Sequence, residues 1–103
     1  MGRKIDLPVI VLNEKTYLES AGDRGFELAK ICEAVSAEQG MSIVICPQQV
    51  ELAKIASSVK IPCFAQHVEA VEPGSYTGFV TLDSIKAAGA TGTLVNHSEH
   101  RLK

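Results

Sequence analysis

The chain has 103 residues, of which 46% are hydrophobic and 21% charged, and its formal net charge is −2. This length suits one hydrophobic core, and the composition is too apolar for a disordered protein. The scattered basic residues argue against nucleic-acid binding, and no apolar run approaches the roughly 18 residues of a membrane span. We therefore expect a folded cytoplasmic protein with no nucleic-acid or membrane partner.

The first elements predicted along the chain are a strand, a helix and a second strand. The apolar run at residues 7–12 indicates the first strand, with Pro8 near its start, where a missing hydrogen-bond donor is tolerated. A helix is predicted at residues 19–39, with Gly40 as its terminator. Its apolar stripe consists of Leu28, Ile31, Cys32 and Val35. The run at residues 42–46 indicates the second strand, and near-continuous runs of this length are typical of strands buried on both faces.

The same alternation continues in the second half of the chain. A second helix follows Pro47, whose fixed φ suits a first turn, and a third strand is predicted at residues 61–66. The stripe of this helix consists of Leu52, Ile55, Ala56 and Val59. A short third helix is predicted with Thr81 as a candidate N-cap and Gly89 as its stop, and residues 92–96 indicate a fourth strand. The order β-α-β-α-β-α-β predicts a parallel sheet, either closed into a (β/α)₈ barrel or open and doubly wound.

A loop of about fourteen residues, HVEAVEPGSYTGFV, separates the third strand from the third helix. It is longer than a plain β-α connection needs. Loops of this kind usually function in binding, catalysis or assembly.

The three cysteines are Cys32, Cys46 and Cys63. Their odd number and the lack of C-x-x-C spacing indicate neither a disulfide framework nor a zinc site. We expect each of them to be a small buried hydrophobic residue.

Polar residues follow the predicted first strand, at the end where parallel α/β proteins carry their reactive groups. Lys15 would be a fixed cation suited to an anionic substrate such as a phosphate ester, although its spacing also fits a surface lysine in a loop. Asn13 would orient Lys15 or donate to a substrate oxygen, or would simply be a turn residue.

A second polar cluster, NHSEHR, follows the fourth strand. His97 would act as an acid, a base or a neutral hydrogen-bond donor, or would merely cap or pack. Ser98 and Glu99 fit the cap and first turn of a following helix, whose positive end would favour a neutral ring at His97. Glu99 is also a candidate partner for Lys15. His97 and His100 stand three apart without a third ligand, so we predict no metal site.

Three motifs together resemble the triosephosphate isomerase family. They are VLNEKTY after the first strand, PGSYTGFV in the long loop and NHSEHR after the fourth strand. Asn96 before the histidine is similar to the short archaeal form. The resemblance implies a (β/α)₈ TIM barrel, of which residues 1–103 would supply the N-terminal half, β1-α1-β2-α2-β3-α3-β4. It also implies interconversion of dihydroxyacetone phosphate and glyceraldehyde 3-phosphate through an enediolate, in glycolysis and gluconeogenesis.

The resemblance further implies a role for each matching residue. Asn13 and Lys15 would bind the substrate, His97 would be the neutral electrophile that polarises the carbonyl group, and Glu99 would pair with Lys15. Thr77 would reach a partner subunit. With Tyr76 and Gly78 it would form the interface of a homo-oligomer, a dimer or a tetramer. No cofactor and no metal are implied.

Two departures from the family pattern qualify this interpretation. Glu14 stands where the family usually has an aromatic or other apolar residue. The glutamate base, the lid and the phosphate loop of the family belong to the second half of the barrel, so we expect the 103 residues alone to be inactive. Two alternatives remain: a non-enzymatic half-barrel that self-associates, and another phosphosugar-binding (β/α)₈ enzyme.

Overall fold

The computed structural model describes residues 5–102, in which short strands alternate with helices. The elements are β1 (Val9–Asn13), a 3₁₀ turn (Leu18–Ser20), α1 (Gly22–Gln39), β2 (Ser42–Cys46), a 3₁₀ turn (Gln49–Glu51), α2 (Leu52–Ala56), β3 (Phe64–Ala65), α3 (Leu82–Ala87) and β4 (Gly92–Thr93). The predicted β-α-β-α-β-α-β order is confirmed. No helix in this part of the chain is long and apolar enough to cross a membrane.

The four strands are parallel and follow one another in chain order. β1 pairs with β2 from Val9 opposite Ser42 to Asn13 opposite Cys46, and β3 pairs with β4 over two residues. A parallel bridge at Ile45 joins β2 to the residue just before β3. Because the strands are parallel, their carboxyl ends lie at one edge, where the polar residues after β1 and β4 also lie.

β3 and β4 are each two residues long, shorter than the runs of six and five that the sequence predicts. The backbone pairing nonetheless continues past β3, because the N–H of Leu94 donates to the carbonyl of Ala65 at 2.9 Å. Asn96 then takes a left-handed conformation with φ +58°, which turns the chain away. A larger residue at Gly92 would require the ring of Phe64 to move, since an added Cβ would lie 2.7 Å from that ring.

α1 begins at Gly22, three residues later than predicted. Extended backbone at Ala21, with φ −102° and ψ 140°, separates it from the preceding 3₁₀ turn. Close packing of that turn against α1 requires Gly25, because a Cβ there would lie 2.3 Å from the carbonyl oxygen of Ser20. Gly40 ends the helix with φ +61°, as predicted.

α2 covers fewer residues than its apolar stripe suggested. The helix ends at Ala56, yet Val59 stays buried, and its N–H donates to the carbonyl of Ile55 at 3.1 Å. Pro47 lies before the 3₁₀ turn rather than in the first turn of a helix, so that detail of the prediction was wrong.

α3 has the predicted ends. The Oγ1 of Thr81 accepts a hydrogen bond from the N–H of Ser84 at 3.2 Å, which satisfies one of the free donors of the first turn. Gly89 follows the helix with φ +102°.

The core lies between β2 and the helices. Val44 and Ile45 are almost fully buried, as the continuous apolar run in β2 predicted, and Ile55 of the α2 stripe is buried as well. β1 differs, because Ile10 is 50% exposed and Val11 is 46% exposed. The expectation that every strand is buried on both faces was therefore wrong for β1.

Candidate active site

Amide side chains hold the backbone of Lys15 just after β1. Lys15 has φ +51°, which is unusual for a residue with a side chain. The backbone N–H of Lys15 donates a hydrogen bond to the Oδ1 of Asn13 at 3.0 Å, and the carbonyl of Lys15 accepts one from the Nε2 of Gln66 at 2.9 Å. Gln66 also donates to the carbonyl of Cys46 at 2.9 Å. Both backbone polar groups of Lys15 are thus fixed by the ends of β1 and β3.

The side chain of Lys15 extends to the turn after β4. Its Nζ lies 3.2 Å from the Oε1 of Glu99, so the structure contains the predicted ion pair. The two side chains are 37% and 57% exposed, and solvent therefore screens their attraction. The pair positions the cation more than it stabilises the fold.

His97 lies on the same turn, and the turn itself fixes its ring. The backbone N–H of Glu99 donates to Nδ1 of His97 at 3.1 Å. This hydrogen bond fits the neutral tautomer, in which Nδ1 carries no proton and Nε2 does. The Oε2 of Glu99 lies 3.6 Å from the same Nδ1. The neutral ring presents a hydrogen-bond donor to a ligand.

The turn differs from the predicted helix start. The N–H of His100 donates to the carbonyl of His97 at 2.9 Å, which closes a turn over Ser98 and Glu99. His97 rather than Ser98 provides the capping acceptor.

A single open cavity of about 620 Å³ connects these groups. The predicted catalytic and substrate-binding residues all line it, namely Asn13, Lys15, His97 and Glu99. Gly78 of the long loop lines it too, whereas Tyr76 and Thr77 lie exposed on that loop. The cavity is therefore lined by the residues that follow β1 and β4 and by Gly78, but not by the other two predicted interface residues.

Sequence reasoning gave no role to the glutamines at this edge. The Oε1 of Gln49 accepts from the N–H of Gln66 at 3.3 Å, and its Nε2 donates to the carbonyl of His67 at 3.2 Å. These bonds fix the end of β3 and, through Gln66, the backbone of Lys15. The available signal was the presence of amide side chains after two adjacent strands.

Glu14 is the unusual buried residue of the site. It is 4% exposed, and within residues 5–102 neither carboxylate oxygen has a hydrogen-bond partner. Burial raises its pKa to about 7. The carboxyl group therefore lies behind Lys15 without contacting the cavity lining through a hydrogen bond.

The three cysteines are buried thiols, as predicted. Burial, with smaller effects of Glu14 and Cys63, raises the pKa of Cys46 to about 12. A thiol of this kind is unreactive.

One group of possible metal ligands occurs in the part of the chain that the structure describes. It consists of His67, Glu69 and His100, whose donor atoms lie within 4.8 Å of one another. His100 thus pairs with residues of the long loop and not with His97.

Parallel strands that alternate with helices, with a lysine, a histidine and a glutamate at their carboxyl ends, define a protein of the parallel α/β class, which includes the (β/α)₈ barrels. The fold agrees with a solved structure, triosephosphate isomerase from Bartonella henselae, with a TM-score of 0.77 at 22% identity over 89% of this chain and 38% of that one. The family model for triosephosphate isomerase matches residues 8–103, and the chain belongs to this family.

Curated relatives from archaea are similar over almost the whole chain. The triosephosphate isomerase of Methanothermus fervidus is 50% identical over 96% of this chain and 45% of the relative. Those of Methanocaldococcus jannaschii and Methanosarcina barkeri are each 51% identical, over 91% and 93% of this chain and 43% of each relative. The chain therefore spans less than half the length of these relatives, and the predicted resemblance to the archaeal form is confirmed.

Proposed function

We propose that residues 1–103 form the N-terminal half of one (β/α)₈ barrel domain, and that the whole protein interconverts dihydroxyacetone phosphate and glyceraldehyde 3-phosphate. The observation that supports this most directly is the Lys15–Glu99 pair beside His97 on one cavity. A fixed cation attracts the substrate phosphate, and a neutral imidazole N–H is suited to polarising a carbonyl oxygen.

Each residue has a distinct task in this proposal. Lys15 and Asn13 bind the substrate, and Glu99 holds the Lys15 side chain toward the cavity. His97 donates from Nε2 to the carbonyl oxygen and stabilises the negative charge that develops there as the enediolate forms. The base that removes the adjacent carbon-bound proton is a glutamate of the second half of the barrel, as the family pattern implies.

Complementation tests this proposal. The 103-residue chain is mixed with a polypeptide that carries the remaining part of the Methanothermus fervidus relative, and isomerase turnover is measured with a coupled assay. We expect turnover in the mixture and none from the 103 residues alone. His97→Gln and Lys15→Met should each abolish it, while Lys86→Met on the exposed side of α3 should not.

Two results would contradict the proposal. One is a stable one-to-one complex of the two polypeptides, verified by sedimentation, without turnover. The other is turnover that survives His97→Gln. Substantial turnover by the 103 residues alone would contradict the assignment of the base to the second half.

The same proposal includes a homo-oligomer in the cytoplasm that needs no cofactor. Tyr76, Thr77 and Gly78 would contact a partner subunit. The exposure of Tyr76, at 46%, and its ring contact with Phe79, at 5.3 Å between centroids, support a loop tip shaped for such a contact.

The alternative is that the whole protein is another phosphosugar-binding enzyme of the same fold. Ligand titration distinguishes the two functions. NMR signals of the His97 ring should respond to dihydroxyacetone phosphate in the complemented protein. A response to a different phosphosugar alone would favour the alternative.

A further inference from the structure

The His67–Glu69–His100 cluster joins two segments of the chain. His67 and Glu69 lie at the start of the long loop after β3, and His100 lies on the turn after β4. Two imidazoles and a carboxylate are the ligand set of many zinc sites, in which a fourth position stays open to water or a ligand. All three side chains line the open cavity, which gives an ion a path from solvent.

The carboxylate of Glu69 is already oriented. The backbone N–H of Val80 donates to its Oε1, and the backbone N–H of Glu69 donates to the carbonyl of Val80 at 2.8 Å. Oε2 faces Nε2 of His67, with which it makes a close contact. An outer hydrogen bond of this kind fixes a metal-binding carboxylate and leaves its second oxygen for the ion.

The two imidazoles lie close together, but their nitrogen lone pairs do not point at one position. Their rings stack with centroids 3.6 Å apart and planes 10° from parallel, so their lone pairs run side by side. His67 is buried next to Glu69 whereas His100 is exposed, so His100 is the ring that would turn toward an ion. The donor atoms of the three residues lie within 4.8 Å of one another, and donor atoms around one zinc ion lie roughly 3.3 Å apart.

From this geometry we infer that His67, Glu69 and His100 bind a divalent transition metal ion of the zinc class. The ion replaces the proton between His67 and Glu69, and it ties the start of the long loop to the turn that carries His97. The end of the loop is linked to the ion only through the hydrogen bonds between Glu69 and Val80. This inference is independent of the proposed isomerase function, since its readout is metal binding and not turnover.

Titration of the 103-residue chain with Zn²⁺, monitored by calorimetry, tests the inference. We expect one ion per chain and a higher melting temperature, reversed by a chelator. His67→Gln, His100→Gln and Glu69→Gln should each weaken binding at least tenfold. The control is Glu72→Gln, which changes an exposed acid of the same loop and should leave the affinity for Zn²⁺ unchanged.

NMR of the unsubstituted chain gives a test that does not depend on the folding of variants. Zn²⁺ should shift the ring signals of His67 and His100 together and at the same stoichiometry. The inference is overturned if Zn²⁺ leaves these signals unmoved, or if binding persists unchanged in both His67→Gln and His100→Gln.

Discussion

Glu14, the residue next to Lys15, is a buried acid whose protonation affects the stability of the fold. Its carboxyl group is buried, and its pKa is about 7 because water is excluded from it. Cys32 on α1 and Cys46 on β2 are the titratable groups that it affects, since it contributes to the raised pKa of each thiol. The folded state therefore favours the protonated, neutral form of the Glu14 carboxyl group.

We predict that stability falls as the pH rises from about 4.5 to about 7. The pKa of Glu14 is higher in the folded chain than in the unfolded one, so the unfolded chain binds fewer protons in this window. The shift corresponds to a loss of roughly 3 kcal/mol in the free energy of unfolding. Urea unfolding at several pH values measures it. Glu14→Gln should remove this decline, and Glu19→Gln, at an exposed acid, should preserve it.

Gln66 is a positioning residue, because it acts on the ligand through Lys15. Gln66→Leu should leave the carbonyl of Lys15 without a donor, while that of Cys46 keeps the N–H of Glu14. We expect a cost of about 1 kcal/mol in stability and weaker triose phosphate binding by the complemented protein. Gln39→Leu makes the same chemical change at an exposed position and serves as the control. Unchanged ligand affinity in Gln66→Leu, at unchanged stability, would contradict this role.

At the scale of the element, local sequence signals set the helix ends. The apolar stripes located all three helices, and the glycines and Thr81 marked several of their limits, because caps act through neighbouring backbone atoms. The start of α1 was misplaced, because the 3₁₀ turn before it is fixed by packing against Gly25. The lengths of β3 and β4 were also misjudged, since strand pairing depends on a distant partner.

Thr81→Ala tests the cap of α3. We expect a loss of about 1 kcal/mol in the free energy of unfolding, because the N–H of Ser84 loses its acceptor. Thr91→Ala at an exposed turn is the matched control. An equal effect of the two substitutions would show that the hydrogen bond contributes nothing.

At the scale of the whole molecule, the exposure of β1 on both of its faces is the feature to explain. The consecutive residues Ile10 and Val11 point to opposite faces of the strand, and each exposes about half of its surface. Within residues 5–102, β1 pairs only with β2. Exposed apolar residues on an edge strand favour association with another chain. This is the observation that favours the alternative of a self-associating half-barrel.

We predict that the 103-residue chain associates as its concentration rises, and that Ile10→Thr with Val11→Thr reduces this association. Sedimentation velocity over a hundredfold concentration range measures it. Ile31→Thr, at an exposed position of α1, is the control for a general loss of apolar surface. A monomer at every concentration would contradict the prediction and the alternative with it.

The sequence by itself determined the order of the elements, their parallel class and the family, because periodicity, caps and short motifs are local. It also placed Lys15, His97 and Glu99 at strand ends, from which their meeting could be expected. Only the tertiary structure decided that Gln66 holds the Lys15 backbone and that His100 lies against His67. Those contacts join residues distant along the chain, and their geometry depends on how the strands and loops pack.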